Sequence, residues 1–166
     1  VINKIGHNAR KFKRATAFKI YLTNPSLRAA LFSPIEKDDD FIGNMVETAI
    51  FSQWGHNQNF TPYYARWKGG EVDIVSLSVE KQKPNWAVEI KWSNRYVKSL
   101  SKLATLKSFC KKNSLERTLI TTLDMTEIKD DDGLMYDFTP SALYCYTVGR
   151  NAVYDQIISQ NMAITH

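Results

Sequence analysis

The chain has 166 residues, 43% of them hydrophobic, which is enough to bury a core without disulfide or metal staples. Its 22 Lys and Arg against 17 Asp and Glu give a formal charge of +5, and the 23% charged fraction excludes wholesale disorder. No apolar run approaches the roughly 18 residues that a membrane crossing needs, no secretion signal opens the chain, and two cysteines, Cys110 and Cys145, supply neither a disulfide framework nor a zinc site. A single domain in a reducing cytoplasm is expected, and the start at Val1 rather than Met suggests part of a longer polypeptide.

The positive charge is local. Lys4, Arg10, Lys11, Lys13, Arg14, Lys19 and Arg28 fill residues 1–35 with no acid among them, and Arg95, Lys98, Lys102, Lys107, Lys111, Lys112 and Arg117 form a second cluster interrupted only by Glu116. Such runs fit either solvated helix faces or a surface that tracks phosphates.

In chain order, residues 18–22 read as a short strand ending at Asn24-Pro25, where Asn caps a helix and Pro suits its first turn. A short helix through Leu27, Ala30 and Leu31 follows, then an exposed loop at 33–40 with Pro34 and three consecutive aspartates. Ile42, Val46, Ala49 and Ile50 recur with a helical period, so a helix runs from about 42 to 54 and carries Glu47 beside large apolar side chains. Residues 60–67 favour a strand, Lys68-Gly69-Gly70 a tight turn, and 71–79 a returning strand. After a turn at 81–85, residues 86–92 make a third strand that completes a meander. Within it Trp86, Val88, Ile90 and Trp92 alternate with Ala87, Glu89 and Lys91, which predicts one core face and one face of paired charges.

Residues 97–113 have the spacing of one basic amphipathic helix, and 118–123 are β-rich. A crossover through that helix places the later strand parallel to its predecessor, so the sheet is mixed. Residues 128–137 read as an acidic loop, 143–146 as an aromatic segment and 151–159 as a terminal helix. The expected fold is α/β, a mixed central sheet flanked by helices.

The chemistry narrows by elimination. Aligning Gly133 with the glycine of a calcium loop puts Ile128 and Thr139 where carboxylates are required. His7, His56 and His166 have no metal-ligand spacing, and neither a phosphate-cradling glycine loop nor a nucleophile elbow is present. What remains is Glu47, then Asp73 on one strand, then Glu89-Ile90-Lys91 on the next, where the pleat puts Glu89 and Lys91 side by side and lets Asp73 meet them across the hairpin. Carboxylates gathered in this way repel one another unless they share a cation, and such oxygen ligands suit Mg2+ or Mn2+. Lys91 would then hold or deprotonate a water, or neutralise charge on a phosphate. The simpler reading of a lone Glu-x-Lys is a cross-strand charge pair.

The ordered set Glu47, Asp73, Glu89, Lys91 resembles the PD-(D/E)XK nuclease superfamily, the restriction-endonuclease-like fold. Lys19-Ile20-Tyr21-Leu22-Thr23-Asn24-Pro25-Ser26-Leu27-Arg28, Gly43-Asn44-Met45-Val46-Glu47, Tyr64-Ala65-Arg66-Trp67 and Gly70-Glu71-Val72-Asp73 are similar to the uncharacterised carboxyl-terminal domain of certain prokaryotic P-loop ATPases. The similarity spans about residues 10–123. It implies one nuclease-like domain over residues 1–166, with residues 1–16 as the tail of a preceding winged helix or linker, and an ATPase module in the same polypeptide. By the same resemblance Asp73 and Glu89 are Mg2+ or Mn2+ ligands, Glu47 and the Ile90 carbonyl are further ligands, Lys91 stands at the nucleophile, and DNA is the substrate. Arg95, Lys98, Lys102, Lys107, Lys111 and Lys112 are the expected phosphate contacts. The helix after Lys91 lacks the Gln-x-x-x-Tyr of the exonuclease branch, which argues against exonuclease chemistry. The rival expectation is a catalytically silent module that binds DNA or protein and restrains the ATPase; homo-oligomerisation is left open.

Overall fold

The computed structural model describes residues 2–5, 18–32, 41–57 and 60–164. The expected loop at 33–40, His7, His166 and most of the basic amino-terminal run lie outside them. The chain divides into two compact units, Val1–Ile20 with Thr61–Ser141 and Tyr21–Phe60 with Ala142–His166.

The first unit is built on an eight-stranded mixed sheet. Its strands are β1 (Ile2–Ile5), β2 (Phe18–Lys19), β3 (Tyr63–Trp67), β4 (Gly70–Leu77), β5 (Pro84–Glu89), β6 (Arg117–Thr122), β7 (Glu127–Asp131) and β8 (Leu134–Pro140), in the order β2-β1-β3-β4-β5-β6-β8-β7. The meander forms as expected: β3 to β4 and β4 to β5 are antiparallel, and β6 then runs parallel to β5. Gly69 turns the first hairpin at φ 99°, a region that strains residues with a side chain. Gly70 answers a different need, because a Cβ there would run into Thr105 Cγ2 and the Trp67 ring.

The crossover from β5 to β6 is not the single helix that the spacing predicts. It is α3 (Arg95–Lys98), a 3-10 turn at Leu100–Leu103 and α4 (Ala104–Lys112). The break falls at Ser99, whose backbone is extended; its hydroxyl lies 2.9 Å from that of Ser101. α4 nevertheless presents the expected stripe. Leu106, Phe109 and Cys110 are buried with Leu103 against Ala65, Val72, Val75, Ala87 and Ile120 of the sheet. Burying a side chain of this size contributes about 2 kcal/mol, which offsets the weak intrinsic stability of so short a helix.

Two further expectations are corrected. The acidic loop at 128–137 is a hairpin, β7 and β8 joined by Asp132-Gly133 with both residues at positive φ, the conformation an Asp-Gly turn favours. The sequence pattern hid it, since four of the five residues of β7 are charged and its one apolar residue, Ile128, is exposed. Likewise β5 does not divide into a core face and a charged face: Ala87 and Val88 are both fully buried, as befits a strand with neighbours on each side.

The second unit contains α1 (Pro25–Phe32), α2 (Ile42–Trp54) and the helix α5, which starts at Ser141 and runs to Ile164. Asn24 Oδ1 accepts the Ser26 N–H at 2.8 Å, the cap expected ahead of Pro25. α5 starts ten residues earlier than the expected terminal helix and absorbs the aromatic segment, with Tyr144, Val148 and Ala152 buried at helical spacing. No helix among the described residues is long and apolar enough to cross a membrane.

Candidate active site at the end of strand β5

Three of the four residues singled out by spacing meet at the carboxyl end of β5. Asp73 reaches the site through a backbone irregularity: Ala65 faces Val72 and Tyr63 faces Val75, so β4 carries one more residue than β3 across this interval. A bulge of this kind re-aims a side chain. Glu89 is the last residue of β5, and Lys91 lies two residues on. The Lys91 peptide is clamped by Thr121 of β6, whose hydroxyl accepts its N–H at 2.8 Å and donates to its carbonyl at 2.9 Å. Ser141 Oγ adds a third bond, to the same carbonyl, at 3.2 Å.

Asp73 is almost fully buried. Its Oδ2 accepts the Ile90 backbone N–H at 2.9 Å and lies 3.9 Å from Lys91 Nζ. Lys91 Nζ is 2.7 Å from Glu89 Oε1. Glu89 Oε2 is buried and has no hydrogen-bond partner among the described residues, an arrangement that costs free energy. Burial holds the Asp73 carboxyl above its ordinary range despite Lys91, the Ile90 amide and Lys19. Glu89 is pushed up to about 8, first by burial and then by the Asp73 charge, against the pull of Lys91. Burial pulls the Lys91 ammonium down, but Glu89 and Asp73 together leave it above its usual value.

Sequence spacing did not reveal the rest of the cluster. Lys19 of β2 pairs with Glu71 and stands 3.8 Å from Asp73 Oδ1, with its ammonium 5.2 Å from the centre of the Tyr64 ring. Arg66 reaches Glu71 Oε2 at 3.5 Å, and the Tyr96 ring centre lies 5.6 Å from Lys91 Nζ. Thr121 was equally hidden. Lys19 and Thr121 arrive from strands distant in sequence, whereas Arg66 faces Glu71 across the β3–β4 hairpin and Tyr96 follows β5 closely.

Glu47 belongs to the second unit, where its Oε2 accepts the Tyr21 hydroxyl at 3.0 Å and Tyr21 stacks on Phe51 at 4.1 Å. Ile90 contributes its amide. Arg95, Lys98, Lys102, Lys111 and Lys112 are exposed along α3, the 3-10 turn and α4. Arg95 donates to the Tyr96 hydroxyl at 2.8 Å, Lys107 pairs with Asp131 at 2.7 Å, and Lys111 pairs with Asp132.

Among the described residues no group of three or more His, Cys, Asp and Glu side chains gathers as a metal-holding set. Asp73 and Glu89 are nonetheless a fit for a cation that keeps most of its own water. Mg2+ is bound by one or two carboxylates plus water and substrate oxygens, and Glu89 Oε2, with no hydrogen-bond partner among the described residues, is an oxygen that such a cation could take; burial is the main force holding both carboxyls above their ordinary range, a penalty that a bound cation would offset. Comparison with protein-family models, curated proteins and solved structures returned no match.

Proposed function

We propose that the chain is a metal-dependent DNA phosphodiester hydrolase, a nuclease-like domain attached to a P-loop ATPase. The observation that carries this reading is the meeting of Asp73, Glu89 and Lys91 at the end of β5, with a buried carboxylate oxygen that has no partner among the described residues. The superfamily resemblance adds the reaction class. Asp73 and Glu89 would hold Mg2+ or Mn2+, which when bound supplies Lewis-acid polarisation of the scissile phosphate. Lys91 acts on the charge that grows as water oxygen joins phosphorus and the bond to the departing sugar oxygen breaks; the water gives up one proton and the departing oxygen takes one up from solvent, so the step is balanced. Thr121 and Ser141 fix the Lys91 backbone so that the ammonium needs little reorganisation. Exposed Arg95, Lys98, Lys102 and Lys112 supply a cationic approach for the DNA backbone.

The test is cleavage of supercoiled and linear DNA in Mg2+ or Mn2+ by wild type and Asp73→Asn, with melts showing that both fold. Loss of cleavage in the variant, partly recovered at high metal, is the expected result. Equal, metal-independent nicking by both would reject hydrolysis. The second reading, a silent DNA- or protein-binding module that restrains the ATPase, is favoured by one observation: both Asp73 oxygens already face ammonium groups of the chain, Lys19 and Lys91.

A further inference from the structure

Lys19 is the one lysine of this cluster that the spacing of motifs does not place there. It lies on β2, which among the described strands is at the edge of the sheet and pairs with β1 alone, yet its ammonium arrives at the acids of β4. Its side chain is 22% exposed, which is low for a lysine. Two acids among the described residues face it, and they are unequal. Glu71 is its close partner and Asp73 Oδ1 a looser one at 3.8 Å. Glu71 also has Arg66 at 3.5 Å, so it does not depend on Lys19 alone for a counter-charge. Asp73 has Lys91 on one oxygen and Lys19 on the other, with the Ile90 amide fixing the first.

We propose that Lys19 is the resident counter-cation of the site: it competes with a divalent metal for Asp73 Oδ1 and withdraws to Glu71 when the metal binds. The proposal rests on the metal-dependent reading above and adds to it a regulation of metal occupancy by the chain itself. Two like charges cannot share a nearly buried carboxylate oxygen at contact distance, because their repulsion is poorly screened there. Glu71 offers Lys19 a place to remain neutralised, so displacement does not strand an ammonium in a low-dielectric pocket. Lys19 thereby lowers metal affinity and makes occupancy sensitive to whatever else draws the ammonium away, such as a phosphate of the substrate.

The experiment is calorimetric titration of Mn2+ alone into wild type, Lys19→Met, Lys19→Arg and, as a surface control, Lys81→Met, with circular dichroism confirming that each folds. Lys81 is exposed in the turn before β5. Lys19→Met is expected to bind Mn2+ about tenfold more tightly, on the order of the effect of removing a partly screened unit charge near 4 Å. Lys19→Arg, which keeps the charge, and Lys81→Met, which removes a remote one, should stay close to wild type. Unchanged or weaker binding by Lys19→Met, with wild type binding normally, overturns the role of Lys19 and leaves the metal reading standing. An equal gain in Lys81→Met would also overturn it, by reducing the effect to net charge. No Mn2+ binding by any of the four overturns both.

Discussion

Two sets of lysine–carboxylate pairs lie in the sheet-bearing unit and differ chiefly in their access to water. On the outer side, Lys107 and Lys111 of α4 meet Asp131 and Asp132 of the β7–β8 hairpin, and Asp132 is 69% exposed. At the end of β5, Lys91 meets Glu89 and Asp73, whose side chains are 14% and 9% exposed. The pairing chemistry is the same. Its consequences are opposite: Lys111 and Lys107 hold the Asp132 carboxyl below its ordinary range, whereas burial drives Glu89 and Asp73 above theirs in spite of Lys91. A surface pair forms because it is nearly free to form. A buried cluster that raises the pKa of its own acids weakens the fold, and its presence calls for a use.

The sharpest way to break this comparison is to delete one cation or acid from each set. Lys91→Ala should reduce metal-dependent DNA cleavage by about a hundredfold or more, the usual effect of deleting a preorganised charge at a developing phosphate transition state. Asp132→Asn should leave cleavage at saturating DNA unchanged. Thermal melts establish that both variants fold. Equal effects, or none from Lys91→Ala, would make the two sets equivalent and remove the argument from burial to function.

This difference was only half legible in the chain. Asp73, Glu89 and Lys91 could be read because the meander is written in short-range signals: Gly69 and Gly70 for one turn, Pro84 before the next, and alternating large side chains in β5. α2 was legible for the same reason, its apolar period giving bounds that match Ile42–Trp54. Lys19 and Thr121 were not legible, since each reaches the site by pairing with a strand distant in sequence. Nor was the surface set, because a polar strand with an Asp-Gly turn lacks the hydrophobic alternation that announces a hairpin. The Ser99 break shows a further limit: the apolar stripe of 97–113 has the correct period, but the backbone turns extended at Ser99, and the period carries no signal of that.

A smaller effect, on stability, follows from the raised carboxyl of Glu89. Its pKa is about 8 in the folded protein against an ordinary 4.5, so between these values the folded state binds more proton than the unfolded state. Stability therefore falls as pH rises across that window. The contribution of this group is intact near pH 5, and the metal-free protein should lose on the order of 2–4 kcal/mol from it by pH 9, after allowance for its coupling to Asp73 and Lys91. Glu89→Gln, which cannot ionise, should flatten the profile and be more stable than wild type at pH 9 while being inactive. Mn2+ should stabilise wild type more at pH 8 than at pH 5, since protons no longer compete for the same carboxylate. Urea midpoints with chelator at pH 5, 7 and 9 measure the first two expectations. Parallel profiles for wild type and Glu89→Gln would show that Glu89 ionises as a surface acid does.

The smallest effect belongs to the surface set and concerns DNA affinity. Each lysine that neutralises a phosphate releases a counterion, and its loss should reduce the slope of log affinity against log salt by about one unit. Lys102 is exposed and should show this in Lys102→Met. Lys107 is already neutralised by Asp131 at 2.7 Å, and Lys111 by Asp132, so phosphate must compete with those carboxylates for both. Lys107→Met and Lys111→Met should therefore flatten the slope by less than Lys102→Met does. Conversely, Asp131→Asn with Asp132→Asn should steepen it and tighten binding, because two lysines on one face of α4 are released together. Fluorescence anisotropy of a labelled duplex across salt concentrations gives all the slopes. If the acidic double variant binds no better than wild type while Lys102→Met weakens binding, DNA runs along α3 and the 3-10 turn and does not reach the hairpin. If none of the lysine variants changes the slope, this basic face does not carry DNA, and its lysines serve the hairpin alone.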